Sequence, residues 1–192
     1  MTILARNFDV AKVQCENDLK AVGAFRYRCY LADGLIESRD DEIFTDQYDA
    51  TDASHIFMVL SSGQIVSTIR LHLLTEACHR SATMATFADI LMPKIRSGMI
   101  ISDAARLAVD PHIGRLRLLA ARRTLRIYED FVAENAVEFG VASVLESRID
   151  MYNRIYGFRQ ISEPRPYGDL KKNLVLMGVD LRNGQYKGFN RI

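Results

Sequence analysis

The stretch ISDAARLAVDP, residues 101–111, places a carboxylate and a guanidinium three positions apart, Asp103 and Arg106, in a segment otherwise as apolar as a buried strand. A charge buried without a partner costs several kcal/mol or gives up its ionisation. The two groups therefore pair with something or border a polar site. In such a site a carboxylate can take a proton or orient an amine, and an arginine can hold an anion. Asp103 and Arg106 are the candidate catalytic residues. The plainer reading of Asp103 is a structural ion pair with Arg70 or Arg106.

Other residues offer compatible chemistry. Arg26 and Tyr30 lie four apart in CENDLKAVGAFRYRCYLAD, residues 15–33, so one helical stripe carries both. Asp46 and Asp49 sit in an acidic loop, residues 35–54, whose plain reading is a solvated surface. Arg70 lies within the apolar run QIVSTIRLHLL, and His55 opens the run before it, where a lone histidine is most often structural. Cys29 has apolar neighbours and reads as a packed thiol. From Arg106 to Arg126 there are six arginines and one acid, Asp110. At about 100° per residue, Arg115, Arg122 and Arg126 fall within about 40° of one another on a helix. With Arg117 they make a basic stripe, which on its own reads as a solvated helix surface.

The elements that must position these groups follow from periodicity and punctuation. Residues 15–33 form a helix ended by Gly34. HIFMVLS and QIVSTIRLHLL form a hairpin turned by Ser62 and Gly63. TFADILMPKIR, residues 86–96, predicts a short helix interrupted by Pro93. Residues 99–109 form a strand. After the turn DPHIG, residues 115–139 form a long helix whose apolar face is Leu118, Ala121, Leu125, Tyr128 and Val132. A strand from Val141, a helix from Ile149 capped by Gly157, and strands from Phe158 and Asn173 complete the order. The expected class is α/β (α+β): a central mixed, mostly antiparallel sheet flanked by helices on both faces.

The chain of 192 residues suits a single domain, with a core over about 15–181 and a polar tail, RNGQYKGFNRI. A net charge of +1 names no partner, although 19 of the 25 basic residues are arginine. The basic stripe is short and lacks interleaved aromatics, which argues against nucleic acid. Cys15, Cys29 and Cys78 have neither disulfide nor metal-ligand spacing, so no metal is expected. No apolar run nears the ~20 residues of a membrane span, and the N-terminus lacks a signal-peptide core. A cytoplasmic location, with no integral membrane association, is the expectation.

The strand, the turn DPHIG and the long helix resemble the signature of the GNAT acyltransferase superfamily, as does MYNRIYGF, residues 151–158. A narrower resemblance spans residues 20–125. RYRCY (26–30), DQYD (46–49), Arg70 with Leu71, and SDAARLAV (102–109) resemble, in order, the Arg-x-x-Val-Phe, Asp-x-x-Asp, Arg-Leu and Glu-x-Ser-Arg-Phe-x-Val elements of acyl-homoserine lactone synthases. The sister N-acyl amino acid synthases share this arrangement and tend to place a histidine soon after the Asp pair, as His55 does. The chain departs from the lactone pattern near Ile36, where a tryptophan is expected, at HLLT (72–75), and at Asp103 and Ala105. The departures near the acceptor pocket favour the amino acid synthases.

The resemblance implies transfer of a fatty acyl group from an acyl carrier protein thioester to the amine of an amino acid or related small acceptor. No permanently bound cofactor is implied; the acyl-phosphopantetheine of the carrier is the donor. It further implies that Arg26, Asp46, Asp49, Arg70 and Arg106 form a buried charged cluster, which either holds the acidic loop over the acceptor's site and neutralises the acceptor's carboxylate or only pins the loop. Tyr30, as a wall of the acceptor or phosphopantetheine pocket or as a half-buried core residue, and His55 are further substrate-binding candidates, and the resemblance suggests a link to quorum sensing. Superfamily members bind coenzyme A pyrophosphate through a glycine-rich turn at a helix N-terminus. Here the turn reads HIGRLRL, residues 112–118, with Arg and Leu after Gly114, a poor cradle for pyrophosphate. Arg115, Arg117, Arg122 and Arg126 are then the candidate contacts to an acidic carrier protein. The alternatives are a lactone synthase using S-adenosylmethionine and a non-catalytic module of the same fold.

Overall fold

A computed structural model of the protein describes residues 8–182. The polar tail lies almost wholly outside them. Among the described residues, seven strands form one sheet: β1 (Asp9–Lys12), β2 (Ser54–Ser61), β3 (Gln64–Leu74), β4 (Ile101–Val109), β5 (Phe139–Val144), β6 (Arg159–Gln160) and β7 (Val175–Asp180), in the order β1-β2-β3-β4-β5-β7-β6. Only β4 and β5 run parallel; every other pair is antiparallel. Four helices cover it: α1 (Glu16–Ala32), α2 (Ala82–Arg96), α3 (Arg117–Glu134) and α4 (Ile149–Tyr156). The mixed, mostly antiparallel sheet is the expected one. The edge strand β1 was not anticipated, because four residues between polar neighbours carry too little alternation.

α1 buries Val22, Phe25, Arg26, Cys29 and Tyr30, a stripe of i, i+3, i+4 spacing that carries one charge into the core. The loop of residues 35–53 crosses this helix at Gly23, whose carbonyl accepts from Phe44 N–H at 3.0 Å. A Cβ on Gly23 would come within 2.7 Å of Ile43 and 2.9 Å of Thr45, so only glycine lets the acidic loop lie this close. The β2–β3 hairpin turns at Ser62 and Gly63, both with positive φ. Such a turn matches the twist of the flanking strands.

α2 corrects one expectation. Pro93 lies inside a helix that runs on to Arg96, and the irregular backbone is at Phe87 instead. The carbonyl that Pro93 leaves unpaired in the helix is that of exposed Asp89, where water can take the bond. The helix starts at Ser81, whose side chain caps Met84 N–H at 3.1 Å. α3 starts at Arg117, after a 3-10 turn at Gly114–Leu116, and its buried face is Ala120, Thr124, Leu125, Ile127, Tyr128 and Phe131. That face is rotated from the expected one: Leu118 is half exposed. Leu118 and Ala121 have no sheet beneath them, because the sheet is open there.

Two devices in the sheet shape the site. β4 and β5 pair only over Ile101–Ala104 and Phe139–Ala142, then diverge. Within β4, Thr68 faces Ala108 while Arg70 faces Ala105, so Arg106 and Leu107 together oppose Ile69. This β-bulge puts Arg106 at φ +54, a strained conformation for a residue with a side chain. Strict alternation would set Arg106 on the face opposite Arg70. The bulge brings both guanidiniums to one carboxylate.

Candidate active site

The gap between β4 and β5 opens into a cavity of about 650 Å³. Ala104, Leu107 and Val109 of β4, Ser143 and Val144 of β5, Leu118, Ala121 and Leu125 of α3, and Met151, Tyr152 and Ile155 of α4 line it. Four arginines join them: Arg106 from the bulge, Arg115 and Arg117 at the start of α3, and Arg122 one turn on; Arg148 adds a fifth before α4. The chamber is therefore apolar in its length and basic towards α3.

Beside it lies a buried ion-pair chain. Arg26 Nη1 donates to Asp49 Oδ1 at 2.8 Å, and Arg70 Nη1 donates to the same oxygen at 2.8 Å. Arg70 also grips Asp46 through both oxygens, at 2.6 and 3.1 Å. Arg106 completes the chain with bonds of 2.6 and 3.2 Å to Asp46 Oδ2. Asp49 Oδ2 accepts Asp46 N–H and Asp46 Oδ1 accepts Tyr48 N–H, both at 2.9 Å, so the two carboxylates also tie the loop to itself. Burial alone would raise both acids. The hydrogen bonds and charges of Arg70 and Arg106 nevertheless hold Asp46 well below the usual carboxylate range, and those of Arg26 and Arg70 lower Asp49. Three guanidiniums against two carboxylates leave one positive charge over, and of the five residues only Arg106 lines the cavity.

Asp103 occupies a different environment. It is fully buried and is not part of the cavity wall. Thr83 Oγ1 donates to its Oδ1 at 2.8 Å, and the same Thr83 oxygen lies 2.9 Å from Tyr167 Oη and 3.2 Å from Ser143 Oγ. Asp103 Oδ2 has no hydrogen-bond partner, nor has Nδ1 of His72, 4.0 Å away. Burial lowers the pKa of His72 first, with Asp103 pulling the other way.

Tyr30 lines the cavity and packs against Phe44, ring centroids 5.1 Å apart; Arg106 stacks over the same Phe44 ring at 4.7 Å. Cys29 reaches the wall as well, its thiol pushed up to about 12 by burial, so it stays protonated at neutral pH. His55 is not brought to the site. It faces Leu71 in the β2–β3 register, which puts it on the α3 side, edge-on to Phe131 and 3.1 Å from Lys12 Nζ. Arg126 also stands apart: it is exposed and paired with Glu129 and Asp130 at 3.3 and 3.2 Å. Sequence reasoning missed Thr83, Ser143, Tyr167 and Arg148. It also took His72 for part of a pocket-altering departure. His72 shares the parity of Arg70 on β3, a signal that was available; Thr83 and Tyr167 converge only through tertiary packing.

A sheet split at a parallel pair, with a bulge beside a cavity, defines the class as a GNAT-like fold. Among solved structures the chain is similar to FeeM, an N-acyl amino acid synthase from uncultured soil microbes, at TM-score 0.75 and 13% identity over 92% of each chain. It is similar to the acyl-homoserine lactone synthase LasI at TM-score 0.68 and 17% identity over 90% of each. It also resembles BjaI, a coenzyme A-dependent acyl-homoserine lactone synthase, at TM-score 0.59 and 15% identity over 93% of this chain and 85% of that one. No curated protein sequence matches. The model of the N-acyl amino acid synthase FeeM family matches residues 21–180, and the chain belongs to that family. It is thus an acyltransferase whose family implies an acyl donor and an amino-acid acceptor. Among the described residues no helix is long and apolar enough to cross a membrane.

Proposed function

We propose that the protein moves a fatty acyl group from the phosphopantetheine thioester of an acyl carrier protein to the amine of an amino acid or related small acceptor. The observation that carries this reading is the cavity itself, which joins an apolar chamber, a basic mouth and one surplus guanidinium, Arg106. The fatty chain lies along Leu107, Val109, Leu125, Met151 and Ile155. Arg106, its own carboxylate partner shared with Arg70, supplies the positive charge next to which the acceptor's carboxylate settles. Beyond Ala104 the amide groups that β4 turns towards β5 have no strand partner, and one of these donors holds the oxyanion of the tetrahedral intermediate. Tyr30 walls the acceptor end. No covalent enzyme intermediate is required.

Arg115, Arg117 and Arg122 at the mouth suit a carrier protein's phosphodiester and acidic surface. The side chains after Gly114 suit coenzyme A pyrophosphate less well. BjaI uses coenzyme A on the same fold, so the fold does not choose the donor and the turn must. The reading carries a cytoplasmic location with it, because carrier-protein thioesters are made there.

The test is to supply the purified protein with matched acyl-carrier-protein and acyl-coenzyme A thioesters and a panel of amino acids, and to identify products by mass spectrometry. An N-acyl amino acid formed faster from the carrier thioester is the expected result. An acylated lactone formed from S-adenosylmethionine would overturn the acceptor. A faster reaction with acyl-coenzyme A would overturn the donor.

A further inference from the structure

Asp103, first in the sequence to suggest chemistry, cannot touch an acceptor in the cavity, because it is sealed behind the wall. Its hydrogen bonds show how it is connected. Thr83 has a single hydroxyl proton and gives it to Asp103 Oδ1. The Thr83 oxygen is also within reach of Tyr167 Oη and Ser143 Oγ. With its own proton committed, Thr83 can only accept from both. Ser143 therefore donates to Thr83, and its lone pairs remain for whatever occupies the cavity that it lines. The hydroxyls thus point one way, from cavity to Ser143 to Thr83 to Asp103.

The far end is equally specific. His72 Nε2 lies 3.1 Å from the Tyr48 carbonyl, which can only accept, so the ring proton is on Nε2. Nδ1 then presents a lone pair to Asp103 Oδ2, 4.0 Å away, and neither atom has a partner. Two buried acceptors facing each other lack one proton between them. A single proton on either supplies the donor that both need.

We propose that Asp103 serves the cavity at a distance: the acceptor's ammonium gives up a proton through Ser143 and Thr83, and the Asp103–His72 pair holds it. The proposal rests on the acyl-transfer reading above. The nitrogen loses this proton, and its freed lone pair attacks the thioester carbonyl carbon. The C–N bond forms and the C–S bond breaks. The nitrogen sheds a second proton as the thiolate takes one up. The proton held by the pair is the one net proton released per turnover, and it returns to solvent along the same hydroxyls. Ser143 is the residue that touches the acceptor; Thr83, Asp103 and His72 act through it.

Titratable and charged groups surround the pair on every side. Tyr167 lies beside Asp103, and Tyr128, hydrogen-bonded to Ser102, lies on the other face of β4; both are pushed up to about 12 by burial first, with the Asp103 charge adding to it, so neither phenol ionises at neutral pH. Arg70 and Asp46 face His72 with opposing effects, and His55 lies across the strand pair from it.

The test uses the full-length enzyme with the acceptor found in the product survey. Thr83→Val keeps the shape and removes the relay. It should lower kcat by about a hundredfold or more at neutral pH, with KM within about twofold. Its rate should then climb about tenfold per pH unit up to the acceptor amine's pKa, because only free amine reacts. Thr83→Ser should restore kcat to within a few-fold, which a merely structural role would not require. Ser143→Ala, on the cavity wall, should reproduce the loss and the changed pH profile should Thr83→Val fold poorly. Wild-type kcat and pH profile in both Thr83→Val and Ser143→Ala would overturn the relay alone. A wild-type protein that acylates no amine would overturn the underlying reading and the relay with it.

Discussion

Two buried polar regions lie side by side in this protein and treat charge in opposite ways. In the chain Arg26–Asp49–Arg70–Asp46–Arg106, every carboxylate oxygen has a donor and every arginine an acid, although Arg26 Nε and Nη2 and Arg70 Nε have no hydrogen-bond partner. Around Asp103, the Thr83 hydroxyl satisfies one oxygen while the other faces an equally unpartnered histidine nitrogen. A region whose acids and bases are matched holds things in place, because removing a member leaves a charge stranded. A region one proton short can change state without breaking anything. The first clamps the acidic loop over α1; the second, on the relay proposed above, is where a proton is held.

The largest expected effect comes from breaking the ion-paired region. Asp49→Ala strands Arg26 and Arg70 in the core and should cost about 3–5 kcal/mol of folding stability, measured by urea denaturation. Acid should attack the same region. The folded pKa values of Asp46 and Asp49 are depressed, so their stabilisation is complete above the unfolded carboxylate pKa, about 4. It is lost progressively as pH falls from there towards the folded values, and the urea midpoint should drop steeply below about pH 4. Arg106→Gln should cost less, about 1–3 kcal/mol, because Asp46 keeps Arg70, but it should raise the acceptor's KM. Asp103→Asn sharpens the contrast. It removes a half-satisfied buried charge, so stability should hold within about 1 kcal/mol while kcat falls about a hundredfold. Smallest, Arg122→Gln should lower kcat/KM for the carrier thioester about two- to threefold and flatten its salt dependence, with Arg126→Gln, on a residue already paired with Glu129 and Asp130, as the unaffected control.

Much of the first region was legible in the sequence. Arg26, Asp46, Asp49, Arg70 and Arg106 fell on recognisable short elements, and a guanidinium inside a helix or strand core announces a partner. The helix from Cys15, the hairpin at Ser62 and Gly63, and the Gly157 cap were marked by residue types with one dominant local use. The second region was half hidden. Asp103 declared itself by intruding into an apolar strand, but Thr83, Ser143 and Tyr167 are small or common polar residues on an α2 turn, a strand and a loop. Nothing local distinguishes them; only the packing of α2 on β4 and β5 brings their oxygens together. The rotation of α3 was hidden for a related reason. Periodicity finds an apolar stripe but cannot say whether sheet or void lies beneath it, and Leu118 and Ala121 border a void. His55 misled because its position in the chain fits the family pattern while its strand parity turns it to the other face.

The extra residue at Arg106 in β4 has a consequence for how such a protein could arise or be lost. Deleting one residue there would restore even alternation, return the guanidinium to the far side of the sheet and leave Asp46 to a single arginine. The strand would still pair with β3 and the core would still close. A one-codon insertion is thus enough to join the ion-pair chain to the chamber, and a one-codon deletion to part them.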